Sequence, residues 1–284
     1  MRNREIFEIF KEETVRRKQS MTLTFTHVAA FSLAAMVTLT VADVARAQDI
    51  TVYQATLGET DQKTGEVSTE ELRRILADGS AIVLDSRPPA QYVAGHIPGV
   101  RNVPLPGDAP PSEYAAAVER MVGGDMSKAL VLYCNGPFCG ASKRVSEQLL
   151  AAGFTNVRRY QLGIPIWRSF GGPTEIELEG ILRIFQVDKT AVYFDARTAD
   201  EFSKGSLQGA HNVPADKLDS DGLGNAPLPR DDFNTRIVLF GRDSGQARAL
   251  ADALSTTPFH NVAYFPGTFD TLKSAIEAEL RARE

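Results

Sequence analysis

The chain has 284 residues, a formal net charge of -5 from 31 basic and 36 acidic side chains, 43% hydrophobic residues and 24% charged ones. That length suits about two domains of ~100–200 residues each, and the composition excludes a disordered or low-complexity chain. With no basic excess there is no electrostatic footprint for nucleic acid. With only Cys134 and Cys139 there is no disulfide scaffold.

In chain order, the first feature is the uncharged apolar run Val28–Ala42, preceded by Arg16, Arg17 and Lys18 and followed by Ala45-Arg46-Ala47. The run is short for a membrane span, which needs about 20 residues, and the small-x-small triplet suits a signal peptidase. Residues 1–47 therefore read as a secretory signal, with Met21 as an alternative start and a membrane anchor at 28–42 as the alternative reading. Either places the folded part outside the cytoplasm, periplasmic or secreted, where thiols meet oxidants. Any membrane contact is through this segment alone.

Beyond it, short apolar runs alternate with helical patterns. Ser68-Thr69-Glu70-Glu71 spells a capping box that opens a helix through Ile75 and Leu76. Strands are expected at 81–85, 129–133 and 156–160, then at 191–195, 236–240 and 261–265. Helices are expected at 142–152 and 246–254. Continuous apolar runs such as Ala81–Leu84 and Ala129–Tyr133 suit strands buried on both faces of a parallel sheet. The Gly/Pro-rich stretch 169–174 is the expected linker.

Residues 81–104 align without a gap on residues 191–214, pairing Asp85 with Asp195, Arg87 with Arg197, Gly95 with Gly205, Gly99 with Gly209 and Asn102 with Asn212. Later, Tyr160 and Gly163 pair with Tyr264 and Gly267 at a reduced offset. The repeat has the size of a domain rather than of a solenoid unit. The expected fold class is α/β: two tandem domains, each a mainly parallel sheet with helices on both faces, with domain 1 at 48–172 and domain 2 at 173–284.

The chemistry gathers where an apolar strand ends at Tyr133 and Cys134 follows, then Asn135-Gly136-Pro137-Phe138, Cys139, Gly140 and a helix. Ligands of open α/β sheets bind beyond the carboxyl ends of strands. A helix N-terminus favours negative charge and lowers a thiol pKa, so Cys134 is expected to be an activated thiolate in a cradle of backbone amides. Two thiols and the scattered His27, His96, His211 and His260 make no zinc spacing, and no metal or cofactor is expected.

LDSRPPAQYVAGHIPGVRNVP, VLYCNGPFC and YQLGIPIW together resemble the tandem rhodanese family of sulfurtransferases over residues 50–284. The resemblance implies a persulfide on Cys134, formed from a small sulfane-sulfur donor and passed to cyanide, a small thiol or a protein thiol. It assigns the donor cradle to Asn135, Gly136, Pro137, Phe138, Cys139 and Gly140. The chain departs from the family pattern in having no charge between Asn135 and Phe138, and Cys139 where arginine is common; both disfavour thiosulfate as donor. In the second copy Gly241 stands where Cys134 stands, so that copy is expected to be a non-catalytic partner that packs on the first. Arg242 is a candidate to reach a shared pocket.

Bland readings compete at several positions. Asp85, Arg87, Asp195 and Arg197 recur in a copy without a nucleophile, which favours a structural role at the strand ends. His96, replaced by Ser206, reads as a surface or structural residue, and Trp167 as core. Cys139 is either a resolving thiol or a small loop residue. A binding or redox-sensing module built on the Cys134/Cys139 pair is the alternative to an enzyme, whereas a phosphatase-like loop is disfavoured by the missing terminal arginine.

Overall fold

The computed structural model describes residues 63–104, 110–218, 223 and 226–282. The signal reading at 1–47 and the anchor reading at 28–42 lie outside the described residues. Among the described residues no helix is long and apolar enough to cross a membrane.

The first repeat folds as β1 (Gly65–Glu66), α1 (Thr69–Asp78), β2 (Ile82–Asp85), α2 (Pro89–Val93), β3 (Arg101–Asn102), α3 (Pro111–Met121), β4 (Leu130–Tyr133), α4 (Ala141–Ala151), β5 (Val157–Tyr160) and α5 (Gly163–Ser169). The second runs β6 (Thr174–Glu175), α6 (Leu178–Val187), β7 (Val192–Asp195), α7 (Ala199–Ser203), β8 (His211–Asn212), β9 (Ile237–Phe240), α8 (Ser244–Leu254), β10 (Val262–Tyr264) and α9 (Phe269–Arg281). Among the described residues each copy makes one five-stranded sheet, in the orders β1-β5-β4-β2-β3 and β6-β10-β9-β7-β8. All pairings within the sheets are parallel.

The apolar runs become the central strands because both faces are covered. In β4, Val131 and Tyr133 pack with Leu72 and Ile75 of α1 and Trp167 of α5. Leu130 and Leu132 pack on the other face with Val118 of α3 and Val145 and Leu149 of α4. This is the two-residue alternation of a strand, and burial of each such side chain contributes about 1.5–3 kcal/mol. The second sheet repeats the plan, with Val238 and Phe240 facing α6 and α9 and Ile237 and Leu239 facing α8.

Only half of the expected capping box forms at α1. Ser68 Oγ accepts the Glu71 N–H, but the Glu71 carboxylate pairs with Arg158 of β5 instead of closing the box. A complete box forms at α7, between Thr198 and Glu201. The linker is shorter than the 169–174 stretch, because Ser169 still belongs to α5 and Thr174 already belongs to β6. Trp167, a core residue at 5% exposure, donates its indole N–H to Pro173 O at 2.9 Å and pins the passage.

The repeated Asp and Arg form one clamp per copy. Arg87 Nη2 donates to Asp85 at 2.5 Å and to Gly95 O at 2.8 Å. Asn102 Nδ2 donates to the carbonyls of Asp85 and Arg87 at 3.0 and 2.9 Å. Arg197, Asp195, Gly205 and Asn212 reproduce each of these contacts. Each clamp ties a central strand end to the loops after it, which accounts for its recurrence in a copy without a cysteine.

His96 is structural in a specific way. Its backbone bridges Glu175 across the two copies, N–H to O at 2.9 Å and O to N–H at 2.8 Å. Its ring stacks on Tyr92 at 3.7 Å, and Nε2 lies 3.3 Å from the Glu175 carboxylate. Burial works to raise the Glu175 pKa, but hydrogen bonds from His96 and Tyr264 outweigh it and hold that carboxyl below its ordinary range. In the second copy Ser206 takes the equivalent place and donates to Asp195 at 2.7 Å.

Removing one member of a buried ion pair strands the other and costs about 3–5 kcal/mol. Arg197→Ala is expected to lose stability of that order in urea unfolding. A change within measurement error would show that the clamp does not hold the second sheet together.

Candidate functional site

Cys134 leaves β4 at the carboxyl end of the first sheet, where the strand has just been anchored. The Tyr133 hydroxyl donates to Asp85 Oδ2 at 2.6 Å and accepts the Ile97 N–H at 3.2 Å, so the residue before the cysteine is fixed to the clamp. Residues 135–140 then loop back to the start of α4. Gln161 Nε2 holds the loop from below by donating to Pro137 O at 2.7 Å. The Asn135 side chain donates outward to Gln91 at 2.7 Å. Phe138 stands in solvent at 88% exposure.

Two glycines let the loop sit so low. Gly136 has φ 109°, a backbone state that side chains disfavour. Gly163 has φ 64°, and a Cβ there would lie 2.4 Å from both Cys134 O and Gly136 N. The chain after β5 therefore slides directly beneath the cysteine loop, and Ile164 N–H donates to Cys134 O at 3.2 Å. The repeat singles out Gly163 by pairing it with Gly267, but this contact is not readable from sequence.

The two sulfurs do not behave as expected. Cys134 is 2% exposed; its thiol donates to Cys139 O at 3.1 Å and lies 3.5 Å from Ser142 Oγ. Burial pushes the Cys134 pKa up, against the opposing pull of the Ser142 hydroxyl and amide. This corrects the expectation of a helix-activated thiolate at Cys134. Desolvation in the floor of the loop outweighs the pull of the helix N-terminus, which also engages a second group.

The engaged group is Cys139. Its partial burial works against ionisation, but contacts from the Cys134 thiol, the amides of Ala141 and Asn135 and the nearby Arg144 outweigh it and bring its pKa below the ordinary thiol range. The Cys139 amide itself closes a turn onto Gly136 O at 3.0 Å. Arg144 supplies the positive field, while Lys143 faces Glu147 at 4.0 Å. Ser142, 1% exposed, is a site residue that sequence reasoning treats only as a helix residue. Its position as the second residue of the new helix, directly after the loop, is the signal that could have found it.

The second copy closes the same space. Its connection runs only from Gly241 to Asp243 before α8 begins. Asp243 caps that helix by accepting the Gln246 N–H at 2.9 Å, and Gln246 Oε1 accepts the Arg242 N–H at 2.8 Å. A Cβ on Gly241 would already stand 3.0 Å from Ala247 N and 3.1 Å from Gln246 Oε1. The Arg242 side chain turns to Glu201 at 3.3 Å on the surface. Among the described residues no three His, Cys, Asp or Glu side chains gather as metal ligands.

The Rhodanese-like domain family matches residues 68–170 and 183–275. The chain belongs to that family, in tandem. It is 30% identical over 114 residues to the thiosulfate:glutathione sulfurtransferase of Saccharomyces cerevisiae, covering 37% of this chain and 78% of that one. It is 30% identical over 109 residues to an HTH-type transcriptional regulator of Mycobacterium tuberculosis, covering 38% of this chain and 44% of the regulator. Among solved structures, the thiosulfate sulfurtransferase from Pseudomonas aeruginosa aligns at 17% identity and a TM-score of 0.35, over 74% of this chain and 42% of that one. The chain thus spans less than half of the regulator and of the Pseudomonas enzyme. As a rhodanese-family chain it carries a cysteine at the strand end of its first domain and a glycine at that of its second.

Because the thiolate is the reacting form, the two thiols should alkylate in a fixed order. Iodoacetamide at neutral pH is expected to label Cys139 first, with Cys134 reacting appreciably only at alkaline pH. Peptide mapping by mass spectrometry reads the order, and prior labelling of Cys134 would contradict the proton distribution described above.

Proposed function

We propose that this chain is an exported sulfurtransferase that carries a sulfane sulfur as a persulfide on Cys134. The observation that carries the reading is a cysteine at the carboxyl end of β4 whose sulfur lies under the loop, 3.1 Å from Cys139 O and 3.5 Å from Ser142 Oγ at the start of α4. Membership of the rhodanese-like family and the yeast relative support the reaction class. The run Val28–Ala42 and the triplet Ala45–Ala47 support export.

In the reaction, the Cys134 thiolate attacks the outer sulfur of the donor. The donor's sulfur–sulfur bond breaks and its electron pair leaves with the departing group. The outer sulfur of the new persulfide then faces the start of α4, where preorganised donors stabilise its charge. An acceptor thiolate or cyanide next attacks that outer sulfur, and Cys134 departs as thiolate. The uncharged side chains from Asn135 to Phe138 favour a persulfide donor over the dianion thiosulfate. Ser142, through its hydroxyl and amide, is the local group that favours ionisation of Cys134. The second domain, with Gln246 filling its loop, serves as a packing partner.

Mass spectrometry tests the reading. Incubation with a sulfane donor is expected to add one sulfur to Cys134, and Cys134→Ser should abolish the gain. Loading should accelerate as pH rises, because the Cys134 proton is held above the ordinary thiol range. An unchanged mass under excess donor across that pH range would refute the proposal.

A further inference from the structure

Cys139 is not used by the reaction on Cys134, yet the fold prepares it more thoroughly than any other group in the loop. It sits at the lip, partly exposed, and its carbonyl oxygen accepts the Cys134 thiol beneath it at 3.1 Å. Arg144 Nη1 stands at the neighbouring loop residue, 3.3 Å from where a Cβ on Gly140 would lie. The turn from Gly136 O to Cys139 N–H at 3.0 Å folds the loop back so that Cys139 lies against the Cys134 sulfur. An external thiol has to reach a sulfur in a residue that is 2% exposed, whereas Cys139 already touches it. Intramolecular placement of this kind gives high effective molarity.

We infer that Cys139 is the resolving nucleophile, which attacks the inner sulfur of the Cys134 persulfide to form a Cys134–Cys139 disulfide and expel hydrosulfide. The inference rests on the persulfide reading above. The Cys139 thiolate supplies the electron pair for the new sulfur–sulfur bond. The bond between Cys134 Sγ and the outer sulfur breaks, and that pair leaves on the outer sulfur, which departs protonated as hydrosulfide. The sulfane sulfur is thereby reduced to sulfide, and the two cysteine thiols are oxidised to a disulfide. Return to the starting state requires two electrons from a dithiol reductant by thiol–disulfide exchange. A dithiol suits the site because its first thiol can attack at the partly exposed Cys139 and its second can resolve the mixed disulfide, with no need for an external group to enter the loop floor. The partner class this assigns is a reduced dithiol protein or small dithiol, and the product is hydrosulfide.

The test uses the full chain, reduced and held anaerobically, with glutathione persulfide as probe and no added acceptor. Wild type is expected to pass through a form one sulfur heavier and to end two hydrogens lighter, with one hydrosulfide released per chain. Cys139→Ser and Cys139→Ala are expected to stop at the heavier form and to retain the sulfur on the order of tenfold longer or more. Dithiothreitol should return wild type to its starting mass. If wild type keeps the added sulfur as long as the two variants do, or the sulfur migrates intact onto Cys139, the inference is overturned while the persulfide reading stands. If neither wild type nor the variants gain sulfur, the persulfide reading fails and takes the inference with it.

Discussion

A carboxylate buried at the end of a central strand organises each half of this molecule. Asp85 is wholly buried and persists there because Arg87, its own loop and the Tyr133 hydroxyl satisfy its oxygens. A buried charge without such partners is heavily penalised. The carboxylate therefore fixes three segments at once: the end of β2, the loop through Gly95, and the last residue of β4. Cys134 inherits its position from that last contact. The second copy keeps the carboxylate and the arginine but substitutes Ser206 for the tyrosine hydroxyl, with Phe240 at the strand end. Its clamp stabilises the sheet without aiming a reactive group.

The two copies show how one scaffold separates chemistry from architecture. In the first, four extra residues lift the connection after the central strand into a loop with room for two sulfurs. In the second, a short connection, a capping aspartate and Gln246 consume the amides that the first copy leaves facing a sulfur. Restoring a cysteine at Gly241 would not restore a site, since the Cβ alone already meets Ala247 and Gln246.

Much of this was legible in the sequence because it depends on local pattern. Apolar runs fixed the central strands to within a residue or two, and the repeated Asp and Arg located both clamps. The strand-then-cysteine pattern located the loop. What stayed hidden depends on tertiary contact. A helix N-terminus predicts a depressed thiol pKa, but whether Cys134 or Cys139 meets the amides is decided by how the loop folds, and Gly163 passing beneath it is invisible to a local reading. Glu71 abandons its capping box for Arg158 for the same reason, as a neighbouring strand offers a charged partner that the local sequence does not contain. His96 reads as a surface or structural residue within the repeat, whereas it joins the copies, a role that no comparison between them can reveal.

Where the sulfane sulfur is held decides the chemistry of the loop. A crystal structure of the sulfur-loaded Cys139→Ser variant tests this most directly. It should show one additional sulfur bonded to Cys134, with the outer atom facing the amides of Asn135 and Ala141 in the space that the Cys139 sulfur otherwise takes. Extra sulfur at any other residue, or a Cys134 thiol unchanged beneath a closed loop, would contradict it.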